Sequence, residues 1–488
     1  MNPDRLVRMS AEEMAAAVRA RVVSARTLLE AHLERIERFD GALGAFRLVL
    51  AESARAEADR IDADLASLSD RPLLGVPVAI KDTMDVRGVP SRLGTASAEP
   101  PAIRDSEVVR RLRTAGAVIV GKTNLPELAA WPFTSASTWG RTAHPWNAAL
   151  DPGGSSGGSA VAVASRMCAL ALGDDLGGSI RVPAANTGLF GIKPQTGRVS
   201  MLPHTERIEG LGAYGPLART VRDAGIALDV LSASGSFARA SCRAPARLRV
   251  GVSIDTPIGV AISETARAAL DDGALLLARL GHDVRPVKPA FGRLLPVAFF
   301  ARYFAGLAAE YRALSDPRAT ESRTRLLAGL GRHVPRAALS WARTEGRRQW
   351  SRLAPLFDEI DVLMTPVLTG PPAASAIWQD RGLVSTLWAV AQHSPYSALA
   401  NMTGQPACAL PLGLDDTGLP VAIQLLGRPD DEETLLSLAA EVEQARAFPV
   451  IDDRRLEVFA ATSARVPANR GGPGDRRRHD AEHGDERA

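Results

Sequence analysis

The stretch that decides the fold lies at residues 151–183 and reads DPGGSSGGSAVAVASRMCALALGDDLGGSIRVP. It holds two glycine clusters, and each cluster encloses or ends in serine, at Ser155 and at Ser179. Glycine loses more backbone entropy on folding than other residues, so such clusters are favoured where the chain passes close to another group or adopts a positive φ. Serine hydroxyls flanked by bare N–H groups are typical of a nucleophile beside an oxyanion hole.

The same composition also fits two flexible surface loops, and two features count against that interpretation. Small, mostly apolar residues over 160–171 join the clusters, which favours a buried connector over a linker. Asp175 and Arg181 bracket the second cluster, where they are placed to pin its backbone. We therefore expect a buried connector between the clusters, and little of residues 151–200 fits a long regular element except residues 160–166.

A serine hydroxyl is a nucleophile at neutral pH only when a base takes its proton. None of the eight histidines has a glycine-rich or acidic setting that marks a base: His32, His144, His204, His282, His333, His393, His479 and His483. Lysine is the other option, and Lys81 ends an apolar run, residues 75–80, that predicts a short buried strand. Keeping a lysine neutral at pH 7 costs about 5 kcal/mol, which desolvation can supply. The alternative is an ordinary lysine that ends its strand in solvent.

The pattern beyond the glycine clusters predicts the fold class. The order strand 248–252, helix 263–280, strand 282–287 is a βαβ unit, which implies a mostly parallel sheet with helices on both faces. Further helices are predicted over 10–39, 47–66, 106–115, 219–231 and 431–445, and further strands at 117–120, 361–364 and 407–412. We predict an α/β protein: a large mixed twisted β-sheet sandwiched between α-helices.

Composition excludes several classes of function. The chain of 488 residues is 46% apolar and carries 58 Lys and Arg against 55 Asp and Glu, so its net charge of +3 argues against nucleic acid as the main partner. Three distant cysteines without a CxxC pair favour a reducing compartment, and no apolar targeting segment or membrane span is apparent. With no metal-ligand spacing either, we expect a cytoplasmic protein that uses no cofactor. The polar, Gly/Arg/Asp-rich sequence from residue 465 predicts a disordered tail.

Two other signals are set aside. Residues 116–123 formally match the phosphate-binding pattern GxxxxGK[ST], but their Ala-Val-Ile-Val centre predicts a strand and not an open loop. Trp131, Phe133 and Trp139 cluster in sequence and are interpreted as packing aromatics, with the lining of an apolar acyl pocket as the alternative.

Together these segments resemble the amidase signature family over roughly residues 8–448. The resemblance is carried by motifs in the family's order, at residues 75–82, 121–127, 153–159, 177–183, 191–194, 197–200, 215–221, 401–407 and 418–421. It implies an amidohydrolase acting on linear amide C–N bonds, with Lys81 as base, Ser155 as a relay held by a cis peptide bond, and Ser179 as nucleophile. It also implies an oxyanion hole formed by backbone N–H groups of Leu176, Gly177, Gly178 and Ser179. The domain is expected to span residues 1–464.

One position departs from the family pattern, and two rival functions stay open. The family often has threonine where this chain has Asp174, and we expect that carboxylate not to touch the catalytic residues. The first rival is the glutaminase (A) subunit of a tRNA-dependent amidotransferase, although that branch usually has glutamine where this chain has Val182. The second is a non-catalytic binding protein on the same fold. The substrate is open among aryl, fatty, peptide and cyclic amides, ureas and carbamates, and a homodimer is the default expectation.

Overall fold

A mixed β-sheet forms the centre of the molecule in the computed structural model, which describes residues 2–378 and 381–463. The strands are β1 (Phe46–Val49), β2 (Pro77–Lys81), β3 (Val118–Thr123), β4 (Ser135–Ala136), β5 (Gly140–Arg141), β6 (Leu170–Asp175), β7 (Phe190–Lys193), β8 (Ala213–Ala218), β9 (Arg249–Val252), β10 (Asp283–Pro286), β11 (Val362–Pro366), β12 (Ala407–Leu414) and β13 (Pro420–Leu426). Eleven of them form one sheet in the order β1-β3-β2-β6-β8-β7-β12-β13-β11-β9-β10, and β4 pairs only with β5.

Helices flank this sheet. They are α1 (Pro3–Leu6), α2 (Ala11–Arg19), α3 (Ala25–Leu43), α4 (Ala51–Ala63), α5 (Leu65–Leu68), α6 (Glu107–Thr114), α7 (Gly157–Ala164), α8 (Arg181–Thr187), α9 (Val221–Ser232), α10 (Phe237–Ala240), α11 (Glu264–Arg279), α12 (Leu295–Ala313), α13 (Ser322–Gly331), α14 (Arg336–Glu359), α15 (Leu383–His393), α16 (Ala398–Thr403), α17 (Glu432–Ala445) and α18 (Asp453–Ser463). Two short 3-10 helices lie at Glu127–Ala129 and Ser375–Trp378. The predicted α/β sandwich is confirmed.

Parallel pairing sets the position of the site. Strand β2 runs parallel to β3 on one side and to β6 on the other, with Ile80 opposite Leu172. The carboxyl ends of β2 and β6 therefore meet at one edge of the sheet, which brings Lys81 next to the last residues of β6. The predicted βαβ unit is also confirmed, because β9 and β10 pair in parallel and α11 connects them.

The N-terminal predictions need correction. The single helix expected over 10–39 is two helices, α2 and α3, separated by a turn in which Arg21 has a φ of 56°. A capping box begins α2, since the Ser10 hydroxyl accepts from the Glu13 N–H and the Glu13 carboxylate accepts from the Ser10 N–H. The helix expected over 47–66 begins instead as β1, because residues 46–49 pair with β3 before α4 starts.

Residues 151–200 form only short elements, as predicted, and the exception at 160–166 overlaps α7. The segment forms α7, β6, α8 and β7, and every residue of 151–176 is buried. Small residues allow this packing: a Cβ added at Gly154 would lie 2.6 Å from the Phe133 carbonyl oxygen. The glycines here allow neighbouring backbone segments to pack closely inside the core. Because the segment is buried, the alternative of flexible surface loops is excluded.

None of the helices in the described ranges is long and apolar enough to cross a membrane. The tail prediction for residues 465–488 falls outside the described residues, which end at residue 463.

Candidate active site

Lys81, the last residue of β2, is fully buried at the edge where β2 and β6 end. Its Nζ donates to Ser155 Oγ at 2.6 Å and to Ser156 Oγ at 2.9 Å. It also donates to Asp174 Oδ1. Burial lowers the pKa of Lys81 to about 8, although the adjacent charge of Asp174 opposes that shift. A lysine in this setting can lose its proton near neutral pH, which the solvent-exposed alternative would not allow.

Ser155 and Ser156 immediately precede α7, and both hydroxyls accept from Lys81 Nζ. The Gly154–Ser155 peptide bond is cis, as the resemblance implies. Ser156 donates its backbone N–H to the Ser179 carbonyl oxygen at 3.2 Å, so the two glycine clusters lie side by side. The structure thus brings together Lys81 and Ser155 through their side chains, and places Ser179 beside them through the backbone. Ser179 is 8% exposed, and no described residue hydrogen-bonds its hydroxyl.

A buried ion pair holds the loop that carries Ser179. Arg181 contacts both carboxylate oxygens of Asp175, at 3.0 and 2.9 Å, and also donates to Asn401 Oδ1 and Gln424 Oε1, each at 2.7 Å. Asn401 donates back to Asp175 Oδ1 at 3.0 Å. Burial opposes ionisation of Asp175, but the charge of Arg181 outweighs it and holds the pKa of that carboxyl below its usual range. The prediction that these two residues support the loop is confirmed.

The predicted oxyanion donors divide into two groups. The Gly178 N–H donates to Asp175 Oδ1 at 2.7 Å, so in this structure it is not free to bind an oxyanion. The reason is that an N–H has one hydrogen and the buried carboxylate takes it. The N–H groups of Leu176, Gly177 and Ser179 have no acceptor within the described ranges. These three remain available to an oxyanion.

The expectation that Asp174 does not touch the catalytic residues is wrong. Asp174 is fully buried, contacts Lys81 with one carboxylate oxygen and accepts from Arg207 with the other. Burial opposes ionisation, yet the charges of Lys81 and Arg207 outweigh it and lower the pKa of Asp174. The contact follows from parallel pairing, because Asp174 lies on β6 two residues beyond the partner of Ile80.

Ser179 opens into an apolar cavity. None of the residues that line it carries a charge: they are Ala130, Trp131, Pro132, Gly177, Ser179, Pro257, Ile258, Leu295, Pro296, Phe299, Phe300, Tyr303, Leu387, Val390, Ala391, Ser394, Pro395, Ala398, Leu399 and Met402. The aromatic cluster noted in the sequence therefore splits. Trp131 lines the cavity and Phe133 packs behind it at 5.6 Å between ring centroids, whereas Trp139 lies elsewhere, against Arg47.

The contacts of several site residues were not predicted from the sequence. Ser156 lies inside the quoted serine motif, and Asn401 lies inside the motif 401–407, but their contacts could not be derived from position. Arg207 stands in the loop between β7 and β8 and belongs to no motif, so no sequence signal marks it. Across the described residues no cluster of three or more His, Cys, Asp or Glu side chains could hold a metal ion.

The fold and the site define an α/β enzyme whose polar groups gather at the carboxyl ends of neighbouring parallel strands. The sequence profile described as Amidase matches residues 27–436, and the chain belongs to the amidase signature family. It is 43% identical over 454 residues to the Mycobacterium tuberculosis protein named "Putative amidase AmiB2", covering 92% of this chain and 98% of that one. A glutamyl-tRNA(Gln) amidotransferase subunit of Synechococcus sp. is 35% identical over 87% of this chain and 94% of its own. The structure of 6-aminohexanoate cyclic dimer hydrolase superposes with a TM-score of 0.82 at 29% identity, covering 91% of this chain and 97% of that one.

Proposed function

We propose that this enzyme hydrolyses a linear carboxylic amide through an acyl-enzyme on Ser179, with Lys81 as base and Ser155 as proton relay. The observation that carries the proposal is the fully buried Lys81 Nζ, 2.6 Å from Ser155 Oγ. The backbone contact between Ser156 and the Ser179 carbonyl supports it, because it sets Ser179 beside that pair.

The proposed reaction moves one proton along this chain of groups. Neutral Lys81 takes the proton of Ser155, which takes the proton of Ser179 as Ser179 Oγ attacks the amide carbonyl carbon. The N–H groups of Leu176, Gly177 and Ser179 stabilise the oxyanion. The relay returns the proton to the nitrogen as the C–N bond breaks, and ammonia or an amine leaves. Water, activated by the same base, then releases the carboxylate and regenerates Ser179.

The cavity supports an uncharged, apolar substrate. Its walls are aromatic and aliphatic, and the residues lining it include no ionised side chain to pair with a charged substrate. Burying an unpaired charge there would cost several kcal/mol. We therefore propose amides with an aryl or aliphatic group of moderate size in the part that fills this cavity.

The similarity to an amidotransferase subunit favours glutamine as the second candidate substrate. Free glutamine carries an α-ammonium and an α-carboxylate, which need charged or strongly polar partners. The cavity lining lacks such partners, and Val182 stands where that branch usually has glutamine. The amidase proposal is therefore preferred, and glutamine becomes one arm of its test.

The test measures amine or ammonia release from an acyl anilide, a fatty amide, a peptide amide and glutamine. We expect hydrolysis of the uncharged apolar amides and its loss in Ser179→Ala, with an unchanged circular dichroism spectrum. Ser234→Ala, in the exposed turn after α9, is the matched control and should keep full activity. A fluorophosphonate probe should label the wild type and the control but not Ser179→Ala. Glutamine-only hydrolysis would replace the substrate proposal, and an unlabelled wild type that hydrolyses nothing would favour a binding protein.

A further inference from the structure

Four charged side chains form a chain that ends on Lys81. Arg207 donates to Glu310 at 2.8 and 2.6 Å, and its other terminal nitrogen contacts Asp174, which in turn contacts Lys81. Lys81 and Asp174 are fully buried, the Arg207 side chain is 3% exposed, and Glu310 on α12 is 18% exposed. Arg207 is thus shared between two carboxylates, one of them inside the site.

The hydrogen bonds around Lys81 Nζ determine which way the lone pair of the neutral amine points. Nζ has three contacts: Asp174, Ser156 and Ser155. An ionised carboxylate only accepts, and the Ser156 hydroxyl donates to the Asp174 carbonyl at 3.2 Å, so it too accepts from the lysine. A neutral amine has two hydrogens and one lone pair. If Asp174 and Ser156 take the two hydrogens, the lone pair faces Ser155, whose own hydrogen no other described group takes.

Asp174 alone would work against this geometry. A carboxylate in contact with an amine favours the protonated form, in which Nζ has no lone pair to accept the Ser155 proton. Arg207 offsets that charge, because it holds the second oxygen of the same carboxylate. Burial is the main cause of the lowered pKa of Lys81, and the charge of Asp174 opposes that shift. The cation of Arg207 adds to the lowering.

The other charged and titratable groups facing this cluster already have partners or stay neutral. Asp175 is paired with Arg181, and Asp82, which follows Lys81, is paired with Arg47 at 2.6 Å. The phenols facing it are Tyr214 on β8 and Tyr303 on α12, and burial raises the pKa of both. No other described group is therefore placed to replace Arg207 as the counter-charge of Asp174.

We propose that the Asp174–Arg207 ion pair is a positioning element for proton transfer. Asp174 directs the lone pair of Lys81 at Ser155, and Arg207 prevents that carboxylate from retaining the lysine proton. The inference rests on the proposed role of Lys81 as base. It assigns a role to Asp174, the position at which this chain departs from the family pattern, and to Arg207, which belongs to no motif.

The test follows the rate of fluorophosphonate labelling of Ser179 against pH, with para-nitroacetanilide hydrolysis as a second measurement. Arg207→Gln should move the acid limb upward by about one pH unit, giving roughly tenfold slower labelling at pH 7 and recovery at alkaline pH. Asp174→Asn should move the acid limb to lower pH, because the charge that favours protonated Lys81 is gone. It should also lower the plateau rate, because the Lys81 lone pair is no longer directed at Ser155. Arg207→Lys keeps the cation and should keep the wild-type limb.

The double variant Asp174→Asn/Arg207→Gln removes both members of the ion pair, so neither of them is left as an unpaired buried charge, as happens in the single variants. Only Glu310, which is 18% exposed, loses its cation. The acid limb of the double variant should lie between those of the single variants, on a lowered plateau. A wild-type plateau in the double variant, or limbs that do not move in the single variants, would overturn the inference. A wild type that is not labelled at Ser179 would instead overturn the proposed function, so the two failures are distinguishable.

Discussion

Removing Arg181 tests whether the buried ion pair holds the nucleophile loop. Arg181 is fully buried and makes four hydrogen bonds, two to Asp175 and one each to Asn401 and Gln424. Arg181→Met leaves a buried carboxylate without its cation and two amide oxygens without donors. Breaking a buried pair from one side costs about 3–5 kcal/mol. That is a large part of the roughly 5–15 kcal/mol typical of folded domains.

The measurement is urea unfolding followed by circular dichroism, with Ser179 labelling in parallel. The matched control is Arg285→Met, since Arg285 and its partner Glu359 are 41% and 67% exposed and such pairs contribute about 0–1 kcal/mol. Asp175→Asn/Arg181→Met should recover part of the lost stability, because it leaves no buried charge unpaired. Labelling should fall in Arg181→Met, because the Asp175 carboxylate, which accepts from the Gly178 N–H, loses the cation that holds it in position. A loss in Arg181→Met no larger than in the control would refute the reasoning.

Two further predictions concern the base and the loop. Because burial lowers the pKa of Lys81 to about 8, about one enzyme in eleven is in the neutral-lysine form at pH 7, so kcat/KM should rise about tenfold between pH 7 and pH 9. A pH profile with its acid limb near 6.5, the value typical of histidine, would contradict this. Gly178→Ala should abolish labelling of Ser179, because Gly178 has a φ of 123° and an added Cβ would lie 2.4 Å from Ser397 Oγ. Gly197→Ala, at a φ of 87° with open space around it, should keep labelling, and equal labelling in both variants would remove the steric argument.

Much of the fold is predictable because its signals are local. The apolar run before Lys81, the βαβ order around α11 and the capping box at Ser10 each depend on residues close in sequence. The individual short elements over residues 151–200 could not be assigned from the sequence, for a physical reason. The small residues of this segment have weak preferences of their own, and they form α7, β6, α8 and β7 only because surrounding elements bury them completely.

The sequence by itself determined the family, the α/β class and the identity of Lys81, Ser155 and Ser179 as candidate residues, since motif order and spacing are properties of the chain. Only the tertiary structure decided what those residues touch. Parallel pairing of β2 with β6 brings Asp174 against Lys81, and a loop between β7 and β8 supplies Arg207. The Asp175 carboxylate takes the Gly178 N–H. Contacts between residues far apart in sequence depend on packing geometry, which local sequence patterns do not predict.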